Sequence, residues 1–342
     1  MMAPASTTSP DIAAKARWII SRPVDLSLVI GSAGAGYLYL ILYAALHVPI
    51  GYLWWFWSVG FDGTHIFATA SRTFFDRDAR ARQSRLLFGS LVFFFALGPA
   101  MVLAGLKGWL YLLVGVWAYY HVVRQHYGFM VLYKVKNRDL APLDNRLDRA
   151  FLGIMTIAPP FQRFFIRHPE ELGIPFSFPR LAAPLTVLCA ATLAVYLARQ
   201  VQRRRAGDAV NLPKYLLFGA VVPLHWLTFH YMSWQAAVPT VTIVHNLQYH
   251  AIVWFHNRNR YAAASPARHG RIPIAVSRSL LAYAAAGLVF SLLYRIPGFE
   301  LGKVSDLAFG LFCGFGLTHY YLDSRIWRVR HDPGLREALQ LA

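Results

Sequence analysis

The sequence predicts an all-α fold: a polytopic transmembrane bundle of about ten helices with both termini cytoplasmic. Three observations predict it. Of the 342 residues, 56% are hydrophobic and only 15% charged, where an ordinary soluble domain carries roughly 25% charge. The apolar residues form long runs separated by short basic stretches, as expected of helices that satisfy their own backbone in lipid. The cations are also segregated. With the N-terminus inside, the cytoplasmic segments hold 27 of the 34 Lys and Arg and the outer loops only 6, which fixes the orientation by the positive-inside rule.

The spans follow in order at about 24–46, 50–71, 86–106, 109–133, 151–166, 181–198, 215–232, 236–256, 279–294 and 304–322. The first is too long for a signal-peptide core and is kept as a span. Trp54, Trp55 and Trp57 mark the outer end of the second. The fifth is short and contains Pro159-Pro160, which would allow a broken, re-entrant or interfacial segment, but it is kept as a span because without it the downstream topology inverts and the charge bias collapses. The longest inner loop is read at about 133–150 and the longest outer loop at about 167–180. All connections are short. A single membrane domain over 1–342 is therefore expected, with a polar tail at 1–22, the bundle at 23–322 and a basic tail at 323–342.

A formal charge of +18 would suit a nucleic-acid binder if it were concentrated on one soluble face. Its alternation between loops assigns it to topology and contact with anionic lipid instead. No nucleic-acid partner is expected, and the location is a bacterial-type inner membrane or its equivalent, with multiple passes. The two cysteines, Cys189 and Cys313, both lie in apolar runs, so neither a disulfide framework nor a cysteine metal site is implied.

Nine of the thirteen histidines lie within or at the ends of apolar spans. Ionisable side chains at membrane depth are costly and mark functional sites. Two spans share one spacing. His121 and His126 lie thirteen and eight residues before Lys134, and His245 and His250 lie thirteen and eight before Arg258. His65 precedes Arg72 by seven residues and His319 precedes Arg325 by six. At 1.5 Å per residue, His65, His126, His250 and His319 fall in one slab near the cytoplasmic surface. Residues five apart are rotated roughly 140° on an ideal helix, so each His-four-residues-His pair needs a π-bulge to serve one metal, or serves two partners.

Imidazole is the commonest protein ligand for iron, copper and zinc. The expected metal ligands are His65, His121, His126, His245, His250 and His319. Asp62 and Asp323 supply carboxylates, as ligands or as acceptors that fix imidazole tautomers. Oxygen and nitrogen donors without thiolate suit non-haem iron or manganese better than structural zinc. Arg124, between two histidines, calls for an anion: Asp62, Asp323 or a bound carboxylate or phosphate. Asn246, Gln125 and Gln248 are expected to knit helices together. His47, His168, His269, His331 and His256 read as interfacial or backbone-bonded, and His225 and His230 as either structural or pocket-lining. The surrounding tyrosines and tryptophans suit packing, or a pocket for a long apolar substrate.

The segments HVVRQH and HNLQYH resemble the first histidine box of integral-membrane fatty-acid desaturases and hydroxylases, although the chain has no adjacent histidine pair. The size, the many spans and the scattered histidines are more similar to the bacterial carotene-cleaving dioxygenases, whose early aspartate-and-histidine helix FDGTHIFATASRTFFD loosely resembles. That resemblance implies a single histidine-held non-haem iron and a carotenoid substrate.

The expected function is therefore a membrane-embedded non-haem iron enzyme that hydroxylates, desaturates or cleaves a lipid or isoprenoid. Membrane lipids, a hydrophobic substrate and an electron donor would be its partners, and Asp62, Arg124 and Asp323 its catalytic side chains. The rivals are a haem-b electron-transfer protein with axial histidines on the fourth and eighth spans, and a transporter whose histidines carry protons or bind an anion. A metal-independent lipid transferase is a further alternative.

Overall fold

The structure, a computed structural model, describes residues 16–261 and 263–341. The expected polar tail falls mostly outside the described residues. The protein is 83% helix, and no strand occurs among the described residues. In chain order the helices are α1 (Arg22–Ala44), α2 (Ile50–Trp57), α3 (Gly63–Arg72), α4 (Arg77–Leu103) and α5 (Lys107–Lys136). They continue with α6 (Pro142–Phe161), α7 (Ala182–Arg205), α8 (Leu212–Tyr231), α9 (Trp234–Tyr261), α10 (Pro266–His269) and α11 (Arg271–Arg278). Helices α12 (Leu280–Val304), α13 (Asp306–Ile326) and α14 (Pro333–Ala338) complete the chain.

Helix covers each of the expected spans, and four helical segments are long and apolar enough to cross a membrane: Arg22–Ala44, Arg77–Leu103, Pro179–Arg205 and Leu280–Val304. Their outer faces are bare of protein. Val92 is 70% exposed, Leu281 79% and Leu293 73%, an apolar surface that water would not tolerate over such an area. The histidine-bearing helices α5, α9 and α13 fall short of that measure of apolarity. Helix α9 shows why, since it buries Thr240, His245, Asn246, Gln248 and Tyr249 against its neighbours.

Two local departures from the expected layout have physical causes. The inner loop read at 133–150 is mostly helical, because α5 runs to Lys136 and α6 begins at Pro142. Pro142 stands at the first helical position, where its missing N–H costs nothing. The charges that looked like loop are buried against one another. Lys134 is 2% exposed and Lys214 is fully buried; Lys134 pairs with Asp148, and Lys214 reaches Asp139 at 2.8 Å and Asp148 at 3.1 Å. Arg199 holds Asp144 at 2.7 Å and Arg203 holds Asp139 at 3.1 Å. Burial pushes the Asp139 carboxyl up, but Lys214, Lys134 and Arg203 outweigh it and hold it at about 2.

The second departure is at Pro159-Pro160. The helix is not broken there but widens into a π-helical turn, Gln162–Arg167. Pro160 has no N–H to give the carbonyl four residues back, and the hydroxyl of Tyr119 donates to that Thr156 carbonyl instead, at 2.5 Å. Two further π-turns occur, one at Asp25–Val29 within α1 and one at Ser58–Asp62 joining α2 to α3.

Helices α4 and α13 approach almost to backbone contact. A Cβ on Gly98 would lie 1.9 Å from the Gly310 carbonyl oxygen, and one on Gly314 would lie 2.7 Å from the Phe95 ring. Small residues at such crossings let helices pack closely without a hydrophobic drive. That contact sets the height of α13 and hence of His319 and Asp323. Beyond Ile326 the chain folds back: Leu335 and Leu339 are buried, and Asn259 donates to the Ala338 carbonyl at 2.7 Å.

Candidate metal centre

Helix α3 is buried from Gly63 to Ser71. Its small residues (Thr64, Ala68, Thr69, Ala70, Ser71) let α9, α12 and α13 close around it. The π-turn before it presents the Asp62 carbonyl to His65, whose Nδ1 lies 2.6 Å away. A carbonyl only accepts, so this nitrogen carries the proton and Nε2 of His65 is left with its lone pair.

His319 Nε2 faces that lone pair at 2.8 Å. Its own Nδ1 is 2.7 Å from the Thr69 hydroxyl, which donates to Asp323 Oδ1 at 3.0 Å. Tyr249 donates to the same carboxylate oxygen at 2.7 Å. With its one proton directed to Asp323, Thr69 accepts from His319 Nδ1, so this network assigns a lone pair to His319 Nε2 as well. Two imidazole lone pairs thus point at one another across 2.8 Å, which is repulsive unless a cation lies against both.

His121 and His245 complete the group. Ring centroids are 5.1 Å apart for His65 and His245, 4.8 Å for His121 and His245, and 5.0 Å for His121 and His319. His121 Nε2 lies 3.6 Å from Asp323 Oδ2. Both His121 Nε2 and His245 Nδ1 are buried without a hydrogen-bond partner among the described residues, a costly state that calls for an explanation. Donor atoms of His65, His245 and His319 fall within 4.8 Å of one another, and so do those of His121, His319 and Asp323. The opposed lone pairs of His65 and His319, the two unpartnered nitrogens of His121 and His245, and the Asp323 carboxylate form a donor set that fits a borderline transition metal such as iron.

The structure does not gather all the expected residues here. His126 turns to Gln248 Oε1 (3.1 Å) and His225 (ring centroids 5.6 Å), and His225 Nδ1 donates to Tyr119 at 2.6 Å. His250 has both nitrogens engaged, with Thr64 at 3.0 Å and Tyr283 at 3.1 Å. Helix α5 and helix α9 remain α-helical throughout, so the 140° rotation stands and each pair is divided between two neighbourhoods. The histidines that converge are His65, His121, His245 and His319, not the four that share a distance to the basic boundary.

Arg124 is exposed on α5, with its guanidinium 4.8 Å over the Tyr127 ring, and no ion pair among the described residues includes it. Asp62 pairs with Arg295 and leaves its other oxygen 3.7 Å from His65 Nδ1. Gln125 donates to the His245 carbonyl, and Gln248 to the Val29 carbonyl, both at 2.8 Å. His256 is buried against Asn257, and His269 is bonded to Asp76 at 3.0 Å rather than to backbone. Asp76, Asp78 and His269 also converge, but Arg260 lies within 3.5 Å of both acids, so arginine already fills that position.

Thr69, Tyr249 and Arg295 are the side chains that sequence reasoning passed over. Thr69 stands one turn after His65 on a helix of small residues. Arg295 was counted among outer-loop cations, yet it lies inside α12. Its neighbours in SLLYRIP are the signal, since a lone arginine in an apolar run needs an acid.

Beside the centre lies a cavity of about 310 Å³. Its walls include Trp54, Trp57, Tyr111, Trp234 and Phe309, and it reaches inward to Asp62, Ile66, Thr242, Arg295 and Tyr320. Tyr320 follows His319 in the chain and its ring is 5.1 Å from that of His121, so a single side chain separates cavity from centre.

Together these features define an all-helical protein with four helices long and apolar enough to cross a membrane and a buried histidine-carboxylate group that could hold a metal ion. No family model matches the chain, and no curated protein or solved structure matches it at a significant level.

Proposed function

We propose that this protein is a polytopic inner-membrane enzyme, with about ten spans and cytoplasmic termini, that oxidises a lipid or isoprenoid/carotenoid at a histidine-held non-haem iron. The observation that carries this reading is the pair of opposed lone pairs on His65 and His319, buried among His121, His245 and Asp323 and one side chain from an apolar cavity. His65, His121, His245, His319 and Asp323 would hold the metal, with His126 and His250 flanking it. Iron bound there would supply binding and activation of dioxygen, with electrons from a donor on the cytoplasmic side.

The protein's own contribution is positional. The Asp62 carbonyl and the Thr69 hydroxyl fix the tautomers of His65 and His319, aiming both Nε2 atoms inward. Thr69 and Tyr249 orient Asp323 by two donated hydrogen bonds to its Oδ1. The aromatic walls align an extended apolar chain and exclude bulk water from the reacting end. Hydroxylation, desaturation and carbon–carbon cleavage are all compatible with this arrangement. The haem-b reading places its axial ligands on the fourth and eighth spans, and there the rings of His121 and His245 pack edge to face at 4.8 Å, too close for a macrocycle between them.

The test is a set of alanine variants purified in mild detergent without chelator. His65→Ala, His121→Ala, His245→Ala and His319→Ala should each lose most of the bound iron, while His250→Ala keeps it. Uniform retention of metal across the first four would overturn the ligand set.

A further inference from the structure

The cavity has aromatic walls but a charged inner end. Asp62, from the π-turn, and Arg295, from α12, pair there and both line it. Their side chains are 14% and 21% exposed, so the two charges have largely left bulk water. As a pair they are neutral. One buried donor atom is left without a partner among the described residues: Arg295 Nε.

That arrangement discriminates between ligands. A hydrocarbon leaves the Nε–H unpaired, which is costly for a charged group. A carboxylate or phosphate brings a third, uncompensated charge against an arginine that Asp62 has already neutralised. A hydroxyl or carbonyl oxygen accepts the hydrogen bond and adds no charge. The cavity is elongated as well. On α9 its lining runs from Trp234 to Thr242, and on α13 from Phe309 to Tyr320, about 12 and 16 Å at the helical rise.

We propose that this cavity binds an extended apolar molecule ending in a neutral oxygen (an alcohol, aldehyde or ketone), with that oxygen on Arg295 Nε and the chain along the aromatic walls. Taking the bound molecule as the substrate rests on the oxidative reading of the centre; the binding preference does not. The polar end lies nearest the centre, because Asp62 also supplies the carbonyl that orients His65.

The test uses tryptophan quenching, since Trp54, Trp57 and Trp234 line the cavity. The probes are three chains of equal length carrying bromine at the far end: 12-bromododecan-1-ol, 12-bromododecanoate and 1-bromododecane. In detergent-solubilised full-length protein the alcohol should quench at roughly tenfold lower concentration than either of the others. In the Asp62→Asn, Arg295→Gln double variant the three should quench alike. A carboxylate that binds as tightly as the alcohol overturns the proposal, and this comparison on the unaltered protein decides it even if the variant fails to fold. Preference retained by a folded variant also overturns it. Iron measured on the same samples separates the two claims: metal without the preference refutes this inference alone, and the preference without metal refutes the oxidative reading alone.

Discussion

Thr69→Val is the most informative single substitution. Valine keeps the shape of threonine while removing the oxygen on which three contacts converge: His319 Nδ1 at 2.7 Å, Tyr249 at 2.7 Å and Asp323 at 3.0 Å. Two losses follow. The His319 Nδ1–H is left buried without an acceptor, at about 1–3 kcal/mol, and its ring is released from the orientation that aims Nε2 at His65. Asp323 keeps the hydrogen bond from Tyr249 and loses the one from Thr69. Removing such outer partners typically lowers metal affinity 10–100-fold, or about 1.4–2.8 kcal/mol. The assay is competition for ferrous iron against a chelator under argon. Tyr249→Phe is the control, since it takes one donor from Asp323 and leaves His319 on Thr69; its affinity should fall clearly less. If Thr69→Val binds iron within twofold of the unaltered protein, or Tyr249→Phe falls as far, the tautomer argument is refuted.

Three further outcomes follow from the packing and the charges. Gly310→Leu would bring a Cβ to 2.7 Å from the Gly98 backbone, so it should destabilise by about 1–3 kcal/mol and lower iron content, while Gly89→Leu, with nothing within 4 Å, should change thermal stability by less than about 0.5 kcal/mol. Lys214→Met leaves Asp139 and Asp148 short of one cation in a buried site and should cost several kcal/mol, read as a lowered unfolding temperature in detergent. The Asp139 carboxyl is held from its ordinary 3.8 down to about 2, so its stabilising contribution is present above about pH 4 and is lost as pH falls towards 2. The gap in unfolding temperature between Lys214→Met and the unaltered protein should therefore narrow as pH falls from about 4 towards 2, and a gap that stays constant would contradict the assignment.

The helices were legible because apolar run length and basic punctuation are local properties of the chain. The convergence of the histidines was only half legible. Distance to a basic boundary measures height along a helix, but a site also needs the right face, and a five-residue spacing turns His126 and His250 away from His121 and His245. Which histidine of each pair faces inward depends on contacts distant in sequence, such as those of Gln125 with the His245 carbonyl and of Gln248 with the Val29 carbonyl. Charges misled where they were buried. Asp144 and Asp148 resembled an inner loop because their partners, Arg199 and Lys214, lie more than fifty residues downstream. Arg295 resembled an outer loop because its partner, Asp62, lies on the far side of the sequence. Thr69 left no signal of its own, since a threonine in a small-residue helix reads as packing until the helix carrying His319 and Asp323 is set against it.

The central claim is that the four converging imidazoles hold iron, and the most direct measurement is elemental analysis with a visible spectrum on protein purified in mild detergent without chelator. The account predicts about one iron per chain at the His65–His319 centre, no Soret band, and loss of that iron in His319→Ala. A preparation that binds no metal even after ferrous iron is added back under argon would contradict it.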